Sequence, residues 1–136
     1  MKNIKALVVL LLFFLSSPYA FGENDLNITV KEKSQQTISI MVTNTSKETV
    51  TYVSVSVEKK ESGKWLELRH DINCPCDSAC SRVAAYVLHK DESTTAEWDC
   101  LDNSCTKSTS GKYRFIIYGY GVKKEDILGT SEPFEI

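Results

Sequence analysis

Val50-Thr51-Tyr52-Val53-Ser54-Val55-Ser56-Val57 is the stretch from which the fold is read. Val53, Val55 and Val57 alternate with Ser54 and Ser56, and β-branched or small residues on both faces suit a pleated, half-buried surface. The reading predicts one strand over Val50 to Val57. Upstream, Ile28 and Val30 recur at period two within Asn27 to Lys31, and Ile38, Ile40 and Val42 do so within Gln36 to Thr43. Asn44-Thr45-Ser46-Lys47 follows as a turn cluster whose side chains can bond their own backbone. Downstream, Glu61-Ser62-Gly63-Lys64 turns the chain into Trp65 to Leu68.

Beyond Leu68 the pattern is interrupted. Cys74-Pro75-Cys76-Asp77-Ser78-Ala79-Cys80 and Cys100-Leu101-Asp102-Asn103-Ser104-Cys105 hold all five cysteines of the chain. Between them Val83 to Leu88 fits either a strand or a helical turn, and Thr94 to Asp99 puts Ala96 and Trp98 on one face. Ser110-Gly111 then turns into Lys112 to Tyr120, where Tyr113, Phe115 and Ile117 share a side, and Ser131 to Ile136 closes the chain with Phe134 and Ile136 alternating. No helix-length amphipathic segment or repeat occurs. About seven to eight short strands separated by Gly, Ser and Asn turns predict an all-β, antiparallel sandwich, with a small barrel as the other solution.

Glu97-Trp98-Asp99-Cys100, Ser110-Gly111-Lys112-Tyr113-Arg114-Phe115 and Ser131-Glu132-Pro133-Phe134-Glu135-Ile136 together resemble the last three strands of bacterial exported immunoglobulin-like or fibronectin-III-like modules. Cys74-x-Cys76-x3-Cys80 likewise resembles the cysteine-rich insertions of exported bacterial proteins of that sandwich type. The resemblance implies an immunoglobulin-like sandwich with a disulfide-stapled loop region and carries no activity. The chain departs from the immunoglobulin pattern because its early strands hold no cysteine for the usual bridge between sheets.

The address is read from the first 22 residues. Lys2 and Lys5 make a basic start, Ala6 to Leu15 is unbroken apolar sequence, and Ala20-Phe21-Gly22 offers small residues before Glu23. About ten apolar residues are too few to span a bilayer. The expectation is a cleaved secretory signal over 1–22, a single domain over 23–136, a secreted or periplasmic protein and no membrane insertion afterwards. Without Lys2 and Lys5 the 16 basic residues become 14 against 18 acidic ones, a net charge of −4. Such a mixed, mildly acidic surface predicts no nucleic-acid partner.

Export places the thiols where disulfides form. Five cysteines leave one over, free or available for a disulfide-linked dimer. Spacing leaves the connectivity of Cys74, Cys76, Cys80, Cys100 and Cys105 open, with Cys100–Cys105 favoured as a loop closure. A second reading groups His70, Cys74, Cys76 and Cys80 as soft ligands for zinc or copper. A third makes Cys74-Pro75-Cys76 redox-active, although it lacks the Cys-x-x-Cys spacing and the helix N-terminus that lower a thiol pKa. No nucleophile elbow is present. Gly119-Tyr120-Gly121 could present Tyr120 to a partner. The resulting expectation is a non-enzymatic binding module without a cofactor, meeting a protein partner through its cysteine loops or an exposed sheet edge. The alternatives are an extracytoplasmic protease inhibitor and a metal-binding protein.

Overall fold

The computed structural model describes residues 25–78, 80, 85–119 and 127–136. The leader expected over 1–22 and Tyr120 lie outside them. Among the described residues there are ten strands and no helix: β1 (Leu26–Lys33), β2 (Ile38–Asn44), β3 (Val50–Tyr52), β4 (Ser56–Glu61), β5 (Lys64–Arg69), β6 (Tyr86–Leu88), β7 (Ser93–Trp98), β8 (Lys112–Tyr118), β9 (Ile127–Thr130) and β10 (Phe134–Glu135). Sequence patterning predicts seven or eight. The surplus comes from short pieces: β9, whose four residues carry no alternation, and the division of one expected strand into two.

Three sheets result, all antiparallel: β1-β2-β7, β10-β8-β4-β5 with β9 also on β8, and the ribbon β3-β6. The apolar faces found by period two are the ones buried. Leu26, Ile28, Ile38, Ile40 and Val42 from the three-stranded sheet share one core with Val57, Tyr113, Phe115 and Ile117 from the five-stranded sheet. Trp98 is fully buried, 5.6 Å from the Tyr113 ring and edge-on to Phe115 at 6.1 Å, and Phe134 stacks on Phe115 at 5.2 Å. The polar ends of these rings are satisfied, as burial requires. Trp98 Nε1 donates to Leu101 O at 3.0 Å, and Tyr113 Oη donates to Thr109 O four residues upstream. That second bond is the tyrosine corner found in β-sandwiches.

The stretch Val50 to Val57 is not one strand. β3 pairs with β6, whereas β4 pairs with β5 and β8, and Val53 to Val55 lie between them outside any ladder. The physical reason is a competing partner for the backbone. Val55 N donates to Asp71 Oδ1 at 3.3 Å and Val55 O accepts from Ile72 N at 3.0 Å, so the loop after β5 takes the bonds a neighbouring strand would take. The chain thereby changes sheets, and the buried set becomes Tyr52, Val55 and Val57, with Val53 only half-buried.

At the β4–β5 turn, Glu61 pairs with Lys64 and the two residues between, Ser62 and Gly63, have φ of 50° and 78°. Both central positions are left-handed, as a two-residue type I′ hairpin demands. Of the segment Val83 to Leu88, Tyr86 to Leu88 is strand; Val83 and Ala84 fall outside the described residues.

Candidate stapled loop site

β5 ends at Arg69, and the polar run Arg69-His70-Asp71 leads into the first cysteine loop. Arg69 is a buried hub. Its Nε donates to Asp71 O at 3.3 Å, Nη1 to Leu101 O and Asp99 Oδ1 at 3.0 Å each, and Nη2 to Cys74 O at 2.6 Å. One side chain therefore holds the end of β5, the loop from Cys74 and the loop from Cys100 together. A planar guanidinium with donors in a fixed fork suits that work, and lysine would not.

Around this hub the disulfides close. Cys74 bonds Cys80, and Cys76 bonds Cys105 across 29 residues, so the two cysteine loops are cross-linked. This corrects the favoured Cys100–Cys105 closure. The loop that follows β7 is a small turn on Asp102, whose Oδ1 accepts from Ser104 N and Thr106 N, with Leu101 bridged to Lys107. It leaves Cys105 exposed while Cys100 faces the interior at 2% exposure. The two sulfurs are thus directed apart, and Cys76 supplies the partner.

Cys100 is the free cysteine among the described residues. Burial first, and the neighbouring Asp99 carboxylate second, raise its thiol pKa, against a smaller opposing effect of Lys107. A buried, protonated thiol is a poor nucleophile and is badly placed to reach another chain.

A cleft of about 310 Å³ opens beside the disulfides, with Val53, Ser54, Asp71, Pro75, Ser78 and Asn103 among its walls. His70 and Cys74, Cys76 and Cys80 line it too, so the structure does gather the residues of the zinc or copper reading. Their sulfurs, however, are spent in S–S bonds and leave no thiolate to give a metal in this form. Cys76, Asp77 and Cys105 also lie close enough for a shared ion, but two of those three donors are bonded to each other. The His70 ring is 75% exposed, with Nδ1 3.2 Å from Glu67 Oε1. Its backbone N donates to Asn103 Oδ1 at 2.9 Å.

Asp71 is the residue that patterning missed. Its Oδ1 accepts from Val55 N and Asn73 N, while Oδ2 is buried without a partner. Three consecutive charged or polar residues at a strand end, Arg69 to Asp71, are a signal that could have drawn attention. Trp65 lies on β5 of the five-stranded sheet with the Arg114 guanidinium 4.4 Å from its ring.

The family described as "Bacterial Ig-like domain" matches residues 22–126. Among curated proteins none matches. Among solved structures, a β-glucosidase involved in saponin metabolism from intestinal bacteria is similar at 14% identity and a TM-score of 0.38, over 81% of this chain and 15% of that one. The alkylpurine DNA glycosylase AlkC of Pseudomonas fluorescens is similar at 15% identity and 0.38, over 90% and 33%. A β-glucosidase of Listeria innocua is similar at 13% and 0.38, over 88% and 17%. The chain spans a third or less of each of these proteins, and at such scores the likeness carries no functional weight.

Proposed function

We propose that this chain, which belongs to the bacterial Ig-like domain family, works outside the cytoplasm as a non-enzymatic binding module that meets a protein partner through its stapled loops. The observation that carries the reading is the pair of surface disulfides, Cys74–Cys80 and Cys76–Cys105, clamped on buried Arg69. Rigid, pre-ordered loops lose little conformational freedom when a partner docks. The disulfides fit an oxidising compartment, as does the leader-like segment at 1–22. The free thiol supports a non-catalytic role, since Cys100 is buried and its pKa is raised rather than lowered.

Strand addition is the less favoured docking mode. β5 is an edge of the five-stranded sheet, yet it carries Lys64 and Glu67 and a register shift opposite Val57 and Glu58. Charges and bulges are the devices by which edges resist pairing. A second functional reading, protease inhibition, is favoured by one observation: the segment closed by Cys74–Cys80 holds exposed Pro75, Asp77 and Ser78.

The test is site-specific photo-crosslinking of the protein in the envelope of a producing bacterium. A crosslinker at Asp77 or Asn103 should trap a discrete partner, and one at exposed Lys31 on β1 should not. Equal trapping from both positions, or none, would refute the loop-face reading. If the partner is a protease whose activity falls on binding, the inhibitor reading takes its place.

A further inference from the structure

We propose that the cleft beside the disulfides receives a primary ammonium group, seated on the unpartnered oxygen of Asp71. The inference rests on the stapled face being a binding surface and deepens it by naming the group recognised. Asp71 lines the cleft and is 5% exposed. Its Oδ1 accepts from Val55 N at 3.3 Å and Asn73 N at 3.1 Å, whereas Oδ2 is shut from solvent with no hydrogen-bond partner. Among the described residues no cation pairs with this carboxylate. The adjacent Arg69 is committed elsewhere, to Asp99 and to the carbonyls of Asp71, Leu101 and Cys74. Buried carboxylates are ordinarily paired or fully hydrogen-bonded, because an unpaired charge in low dielectric is costly.

The bonding already made by Asp71 selects the donor. A guanidinium binds a carboxylate through both oxygens in a fork, and here Oδ1 is already occupied by two backbone N–H groups. An ammonium is a compact point donor that needs one oxygen. The ammonium must reach Oδ2 while Oδ1 stays on the Val55 and Asn73 amides, since those bonds are what disfavours the guanidinium fork. Asn103, whose Oδ1 accepts from His70 N, lines the cleft as well. A volume of about 310 Å³ admits a lysine side chain. The source of the ammonium is then either a lysine of a partner polypeptide or a free alkylamine.

The experiment is an NMR titration of the 15N-labelled, oxidised full chain with N-acetyl-lysine methylamide, its arginine and norleucine counterparts, and butylamine. The Val55 and Asn73 amides, which report on Asp71, should shift saturably with the lysine probe. Binding should be about tenfold weaker for arginine and absent for norleucine. Asp71→Asn keeps both accepted hydrogen bonds and should lose about tenfold or more. Should that variant not fold, Ser78→Trp at the exposed rim should block the cleft to the same extent while leaving Asp71 intact. Butylamine binding as tightly as the lysine probe identifies a small-amine site, and tighter lysine binding a polypeptide ligand. No saturable shift at about 50 mM, or equal shifts from arginine and norleucine, overturns the proposal. A silent titration beside a loop-specific crosslink removes the ammonium site alone; an ammonium response with no crosslink removes the protein-partner reading instead.

Discussion

Arg69 Nη1 lies 3.0 Å from Asp99 Oδ1, in a pair whose ends sit in different surroundings: the arginine side chain is 2% exposed and the aspartate 45%. The same guanidinium also binds three carbonyls, so the two partners are not equivalent. Asp99 has water to turn to. Arg69 does not.

Replacing each partner therefore has unequal consequences. Arg69→Met leaves the carbonyls of Asp71, Leu101 and Cys74 without their buried donor and is expected to destabilise by about 3–5 kcal/mol, with mixed disulfide isomers on refolding. Asp99→Asn keeps an oxygen for Leu101 N and for Arg69 Nη1 but removes the counter-charge of a buried guanidinium, and should cost about 1–2 kcal/mol, less than Arg69→Met because the three carbonyls keep their donor. Urea unfolding of the oxidised proteins, with peptide mapping of the S–S bonds, measures both. Equal losses from the two variants would refute the hub.

The two disulfides should differ in weight. Cys76–Cys105 spans 29 residues and Cys74–Cys80 spans 6. On loop-closure entropy, removing the long one as Cys76→Ser with Cys105→Ser should cost about 3.6 kcal/mol, and removing the short one about 2.2 kcal/mol. Cys100 should resist iodoacetamide at pH 8 in the native protein and react once urea opens the core, since burial keeps its thiol protonated. Rapid native labelling of Cys100 would contradict the described interior.

How much of this was legible beforehand divides along physical lines. The faces of β1, β2 and β7 follow from alternation, because each has one side against the core and one that is more exposed, whereas in β8 Ile116 is buried on the face opposite Phe115 and Ile117. Val50 to Val57 looks continuous because alternation records burial and is blind to hydrogen-bond partners; here the partners are Asp71 and Ile72, fifteen or more residues away. β9 was invisible because Leu128 is half-buried and Gly129 has no side chain to read. The cysteine loops were recognisable as a stapled region, while their pairing depends on where Cys76 and Cys105 are carried in space. Asp71 had no signature beyond its polar neighbours.

Alkaline stability should report on the Tyr52–Tyr86 pair, whose residues face each other across the ribbon β3-β6 with rings stacked at 5.2 Å. Burial first, then Tyr86 and Asp71, push the Tyr52 phenol up to about 12 from 10.0. Below the unfolded pKa the phenol is protonated in both states and its full contribution is present. Between about pH 10 and pH 12 the unfolded chain releases the proton and the folded one retains it, so stability falls as pH rises through that window, by on the order of 2–3 kcal/mol. Tyr52→Phe keeps the stack and removes the titrating group. Urea midpoints from pH 9 to 12 should fall less steeply for this variant, and parallel profiles would show that another group sets the slope.

Gly129 on β9 tests how β1 is held to the five-stranded sheet. A Cβ built at this position would stand 2.5 Å from Leu26 O and 3.2 Å from Leu26 Cβ. The nearer atom belongs to the backbone of β1, which is fixed on its other side by the ladder to β2, beginning at Leu26 opposite Asn44. Leu26 is itself fully buried, so its strand has nowhere to retreat. Gly129→Ala should therefore push β1 and β9 apart and cost about 1–3 kcal/mol, the usual range for overpacking. Gly63→Ala is the control: nothing stands within 4 Å of its Cβ, and only the left-handed φ of 78° opposes the methyl group, for about 1–2 kcal/mol. The two losses have different signatures. Gly129→Ala should speed hydrogen exchange in β1 and β9 together, and Gly63→Ala only at the β4–β5 turn. Undisturbed β1 amides in the Gly129 variant would mean that the contact yields without strain.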